Sequence, residues 1–164
     1  MATSVAETDP FPLPDRAGRD VVVVCRARDL LVALAAQDVV ETMRPQPIQP
    51  LASVPAFVLG VAIIRGVPVP VVDAGALLGA VGAPRPTRLV TIRTGGRQVA
   101  LAVEEVLGVR ALARGPVHDL PPLLTRAGAD TIAAIASLDA QLLMVLQATR
   151  LMPPTVWDLL EQRA

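Results

Sequence analysis

Short apolar runs broken at regular intervals by polar or glycine-containing turns dominate the chain from about residue 20 to 150. Val21–Cys25 and Leu30–Ala35 flank Arg26-Ala27-Arg28-Asp29, which reads as a hairpin. Gln37–Met43 reads as one or two helical turns. Pro45, Pro47, Pro50 and Pro55 make the next stretch an extended connector, because proline removes backbone donors and biases the residue before it away from helix. Phe57–Ile64 and Val67–Val72 read as strands joined at Arg65-Gly66. Pro68 and Pro70 lie in the second of these and cannot donate to a ladder, so that strand is expected at a sheet edge or with the proline nitrogens facing outward. Asp73 is placed to cap a short helix over 74–78, with Gly79 as its stop.

The pattern then restarts. Leu89–Arg93 and Gln98–Val103 flank Thr94-Gly95-Gly96-Arg97, and Gly-Gly supplies the positive φ of a tight hairpin. Val106–Leu112 is a further strand, 115–128 a proline-containing loop, and Ile132–Leu138 with Leu142–Leu146 a last hairpin around Asp139-Ala140-Gln141. After Pro153-Pro154, Thr155 and Asp158 suggest a capping box for a helix whose Val156, Leu159 and Leu160 share a face. Val32-Ala33-Leu34-Ala35 and Val99-Ala100-Leu101-Ala102 are identical, each with an apolar hairpin downstream, at 59–72 and 132–146. Two similar β units are the simplest reading, with the two hairpins in equivalent places.

Composition narrows the functions. Of 164 residues, 52% are apolar but only 2% aromatic, so the core is built from Val, Leu, Ile and Ala. Fifteen basic residues, all Arg, balance fifteen acidic ones, and zero net charge argues against a nucleic-acid partner. The charge-free run 45–64 carries four prolines, and its apolar part is too short to span a bilayer, so no membrane insertion is expected. The first 19 residues read as a polar leader without the apolar segment of a signal peptide, which makes a cytoplasmic location the expectation. One Cys, in a Val-rich run, and one His, in the 115–128 loop, supply neither a disulfide framework nor a metal site. Asp38, Glu41, Glu104 and Glu105 have no nucleophile or metal partner nearby and read as solvated charges. Ser53, Ser137 and His118 lack the strand–turn–helix context of a hydrolase nucleophile. No catalytic residue and no cofactor is expected.

The segment Gly60-Val61-Ala62-Ile63-Ile64-Arg65-Gly66, continuing to Pro70-Val71-Val72-Asp73 and Gly79, resembles the signature of the CheW family. Gly95-Gly96 through Leu101-Ala102-Val103-Glu104-Glu105-Val106 is similar to its second motif, and Leu138-Asp139 through Leu146 to its closing hairpin. The sequence departs from the pattern at Ile63, where the family has Asn, at the added Pro68, at Glu104 in place of Asp, and at Gln147.

The resemblance implies a mainly β fold of two SH3-like five-stranded β-barrel subdomains sharing a core, with short helices. The expected division is a leader over 1–19, subdomains over about 20–83 and 87–150, and a C-terminal helix over 151–164. It implies a non-catalytic adaptor whose partners are a methyl-accepting chemoreceptor and a CheA-type histidine kinase. Carried over onto this chain, Glu41 on the short helical segment pairs with Arg65 beside a receptor groove flanked by Val39, Val40 and Gly60. Two other readings stay open: a module of the same fold in a non-motility pathway, and a small β-barrel enzyme.

Overall fold

The computed structural model describes residues 19–113 and 132–162. In chain order it has β1 (Arg19–Ala27), β2 (Leu30–Ala35), β3 (Val39–Met43), β4 (Val58–Ile64) and β5 (Val67–Asp73), then α1 (Ala74–Leu77). These are followed by β6 (Arg88–Thr94), β7 (Arg97–Val103), β8 (Glu105–Ala113), β9 (Ile132–Leu138), β10 (Gln141–Leu146) and α2 (Pro154–Gln162). The fold is mainly β, as expected. Strands β8-β1-β2-β10-β9 form one five-stranded sheet and β3-β6-β7-β5-β4 the other. The expected leader and the 115–128 loop with His118 lie outside the described residues, apart from the start of β1.

Tight turns set the hairpins. Arg65-Gly66, Gly95-Gly96 and Asp139-Ala140 all have positive φ at both central positions, the geometry whose twist matches paired strands. The duplicated pattern in the sequence is a duplicated topology. Replacing β1 to β5 by β6 to β10, and the reverse, turns one sheet order into the other. Hairpins β4–β5 and β9–β10 are therefore equivalent, each running parallel to the near-copied strand, β7 or β2. The irregularities repeat too. Val40 in β3 and Leu107 in β8 are the extra residues of corresponding bulges, as are Leu59 in β4 and Ala133 in β9.

The sheets are not the two halves of the chain. The second sheet uses residues 39–103 continuously, so the boundary expected between 83 and 87 falls inside it. The first sheet joins 19–35 to 105–113 and 132–146. After each leading hairpin the chain crosses to the other sheet, β3 to the edge beside β6 and β8 to the edge beside β1.

A core shared between the sheets contains Val23, Cys25, Val32 and Leu34 from one, and Val72, Val90, Ile92, Val99 and Leu101 from the other. Alternate residues of the same strands point the opposite way. Val22, Val24, Leu31 and Ala33 fill a cluster in the first sheet, and Leu89, Ala100, Ala102 and Val71 one in the second. The central strands are thus buried on both faces, which is why they read as unbroken apolar runs. Cys25 is fully buried, and burial pushes its thiol up to about 12.

Three local readings are corrected. Only Ala36–Asp38 forms a helical turn, of the tighter 3-10 kind, and Val39–Met43 is strand β3. Its β-branched Val39 and Val40 suit a strand, and pairing with β6 outweighs the weak local helix signal. Pro68 and Pro70 lie in a strand flanked on both sides, but β7 pairs only with Val71–Asp73, so the proline half has β4 alone. Helix α2 starts at Pro154, whose missing N–H costs nothing in a first turn, and Pro153 O takes the amides of Val156 and Trp157. Its packing face is Val156, Trp157 and Leu160. Among the described residues no helix is long and apolar enough to cross a membrane.

Candidate functional site

Glu41 and Arg65, 24 positions apart, meet through the second sheet's two edges. Arg65 Nε donates to Glu41 Oε1 and Arg65 Nη2 to Glu41 Oε2, both at 2.7 Å. A planar fork bonded through two nitrogens fixes the carboxylate's orientation as well as its place. The guanidinium beside it holds the Glu41 carboxyl below the usual carboxylate range. The Arg65 side chain is 77% exposed and that of Glu41 24%, so the pair stands at the surface with the cation outermost.

Backbone geometry presents both members. Arg65 is the first residue of the β4–β5 turn, held at φ 51°, and Gly66 follows at 78°. Pairing of β3 with β6 slips between Val39 and Glu41, so Val40 is a bulge residue and the strand is re-aimed at that point. Glu41 therefore reaches Arg65 from a bulged strand and not from a helical segment.

A groove of about 580 Å³ runs under the pair, lined by Val40, Ile64, Val67, Pro68, Val69 and Trp157 among others. Of the five residues singled out from the sequence, Val40, Glu41 and Arg65 come together on it. Val39 instead pairs with Ile92 and packs against the shared core. Gly60 is buried and serves the backbone: it holds φ 144°, and a Cβ there would sit 2.1 Å from Gln49 O of the connector. That close approach lets Gln49 and Val61 exchange hydrogen bonds of 2.8 and 2.9 Å, tying the proline-rich connector to β4.

A second groove, of about 740 Å³, adjoins the first and shares Pro68, Arg97 and Trp157 with it. Trp157 stacks under the Arg97 guanidinium at 4.8 Å, and Arg97 is also bonded to Glu161, so α2 is pinned to the start of β7. Ile63 and Val67, 61% and 56% exposed, leave the hairpin apolar on its outer side.

One feature escaped the sequence reading. Arg28, in the β1–β2 turn of the first sheet, donates from Nη1 and Nη2 to Asp73 Oδ1 and Oδ2 of the second, at 3.0 and 2.7 Å. Their side chains are only 13% and 4% exposed. Asp73 also takes the Gly75 amide at 3.2 Å, the expected helix cap. Glu104, expected to be a solvated charge, accepts the Arg28 amide at 2.9 Å and completes this inter-sheet contact. The carboxylates do not gather in one cleft: Glu105 lies 3.9 Å from Arg26, and Asp38 sits apart, raised by burial against the lowering effect of Arg93. Among the described residues no group of three or more His, Cys, Asp or Glu could hold a metal ion.

Comparison with known proteins bears on this arrangement. A family model described as the CheW-like domain matches residues 21–154. Protein FrzA of Myxococcus xanthus is 33% identical over 115 residues, which cover 67% of this chain and 69% of that protein. The scaffolding protein TtCheW of Thermoanaerobacter tengcongensis has a similar fold, with a TM-score of 0.67 at 23% identity, covering 77% of this chain and 87% of that one.

Proposed function

The chain belongs to the CheW-like domain family, and from that premise we propose that it is a non-catalytic scaffold of chemotaxis-type signalling that joins a methyl-accepting chemoreceptor to a CheA-type histidine kinase in the cytoplasm. One observation carries the receptor half of this reading: a bidentate, outward-facing Arg65–Glu41 pair on the rim of an apolar groove. An apolar floor with one oriented charge pair at its edge suits a partner helix, whose apolar stripe supplies area and whose polar flank reads the charges. The kinase half rests on family membership.

The test uses Trp157, which lines the groove and is the chain's single Trp, with no Tyr present to mask it. Titrating a receptor cytoplasmic fragment should change its emission. Arg65→Glu should weaken that binding about tenfold or more by setting two carboxylates against each other, with the melting temperature nearly unchanged. Glu41→Arg with Arg65→Glu should recover part of the loss. Wild-type affinity in Arg65→Glu would remove the site, and failure to bind any CheA regulatory domain would remove the coupling role.

A further inference from the structure

The Glu41–Arg65 pair depends on where a bulged edge strand puts Glu41. Bulges leave an extra residue unpaired and the ladder beside it disrupted, so something must satisfy and hold the backbone at Glu41. The Thr91 side chain does so. Thr91 is opposite Glu41 in the β3–β6 register and is fully buried. Its Oγ1 accepts the Glu41 N–H at 3.2 Å and donates to the Glu41 carbonyl at 3.2 Å. A hydroxyl has one proton to give and lone pairs to receive with, so a single side chain satisfies both polar groups.

We infer that Thr91 is a positioning residue for partner recognition, holding the Glu41 backbone beside the Val40 bulge so that its carboxylate meets the Arg65 fork. The inference rests on the proposed role of the Glu41–Arg65 pair. The duplicated sheet supplies an internal comparison. There the corresponding bulge residue is Leu107, the position matching Glu41 is Gly108, and the residue opposite it is Val24. The residue matching Arg65 is Asp139. Both sheets keep the bulge, but the hydroxyl is present only in the sheet that carries the ion pair. A bulge in this fold therefore closes over a Val; the Thr accompanies the carboxylate.

The experiment compares Thr91→Val, which keeps shape and removes the hydroxyl, with Thr91→Ser, which keeps the hydroxyl and removes a methyl. Receptor-fragment affinity is read from Trp157 emission, with thermal melts alongside. Thr91→Val should bind about five- to tenfold more weakly, since two hydrogen bonds to one residue are lost. Thr91→Ser should return to within about twofold despite its lost methyl. The loss caused by Thr91→Val should vanish when Glu41 is already Ala, because residues acting through one another are not additive; a general packing defect would persist there. Wild-type affinity in Thr91→Val while Arg65→Glu is impaired would overturn the inference and leave the proposed function standing. Wild-type affinity in both would overturn both. Should Thr91→Val not fold, Thr91→Ser against Thr91→Ala gives the same comparison.

Discussion

Gly75 should be intolerant of alanine for a reason that lies in the other sheet. It is in the first turn of α1, where Ala is ordinarily better than Gly by about 0.5–1 kcal/mol. A Cβ added there would lie 1.6 Å from Arg28 Nη1 and 2.8 Å from its Cζ. Arg28 must then leave, and Asp73 loses both charge-assisted bonds. Breaking a buried pair by removing one partner costs about 3–5 kcal/mol. Asp73 keeps the Gly75 amide, and solvent reaches the outer edge of the guanidinium. A discounted figure of about 2–3 kcal/mol is therefore appropriate for Arg28→Ala. For a chain of this size that lowers the melting temperature by roughly 4–12 °C. Gly75→Ala alone should cost nearly as much, less its helix gain. In the Arg28→Ala background the same substitution should change sign and stabilise by about 0.5–1 kcal/mol. Thermal and urea melts of the four proteins decide it. An equal cost of Gly75→Ala in both backgrounds would refute the steric argument, and an Arg28→Ala melt within about 2 °C of wild type would refute the role of the pair.

Cys25, whose thiol burial raises from 9.0 to about 12, should react with thiol reagents at the rate of unfolding and not faster. Because the folded pKa is the higher one, its contribution is complete below pH 9 and is lost as pH rises from there toward about 12; urea melts across that window should show stability falling with pH. Gly60→Ala should destabilise by about 2 kcal/mol or more, since strained φ and a backbone clash coincide there. Hydrogen exchange should show the Val61 and Gln49 amides losing protection first, and unchanged protection at both would refute the bridge's dependence on Gly60.

What the sequence disclosed follows the range of each interaction. Hairpins β4–β5, β6–β7 and β9–β10 were legible because strand, turn and strand are neighbours and Gly95-Gly96 or Arg65-Gly66 marks the reversal. The helix cap at Asp73 was legible because its partner, Gly75, is two residues away. Glu41 and Arg65 were paired by their positions in a family signature, not by any local signal. The Arg28–Asp73 contact had no such aid: 45 residues separate the partners, and only the folding of two sheets together brings them into line. Glu104 was misread for the same reason. Strand β3 was misread as helical because its identity comes from β6, 50 positions downstream by the Glu41–Thr91 pairing. Gly60 was assigned to the groove through its place in the signature, whereas the residue it must clear, Gln49, lies in a connector without sequence periodicity. The Thr inside the run Leu89-Val90-Thr91-Ile92 is a visible mark of a polar requirement in a core strand.

The crossed connections also bear on how the chain assembles. Residues 39–103 carry every strand of one sheet, so that sheet can form as soon as this stretch is available. The other waits. Hairpin β1–β2 needs β8 on one side and β10 on the other, and the β2–β10 contact joins Leu31 to Leu143. Until the late strands arrive, both flanks of the early hairpin are open edges with Val22, Val24, Leu31 and Ala33 uncovered. Closing so long a loop costs entropy before any contact repays it. A neighbouring copy's late strands present the same edge chemistry, so during synthesis at high local concentration exchange of the early hairpin between copies competes with closure within one chain.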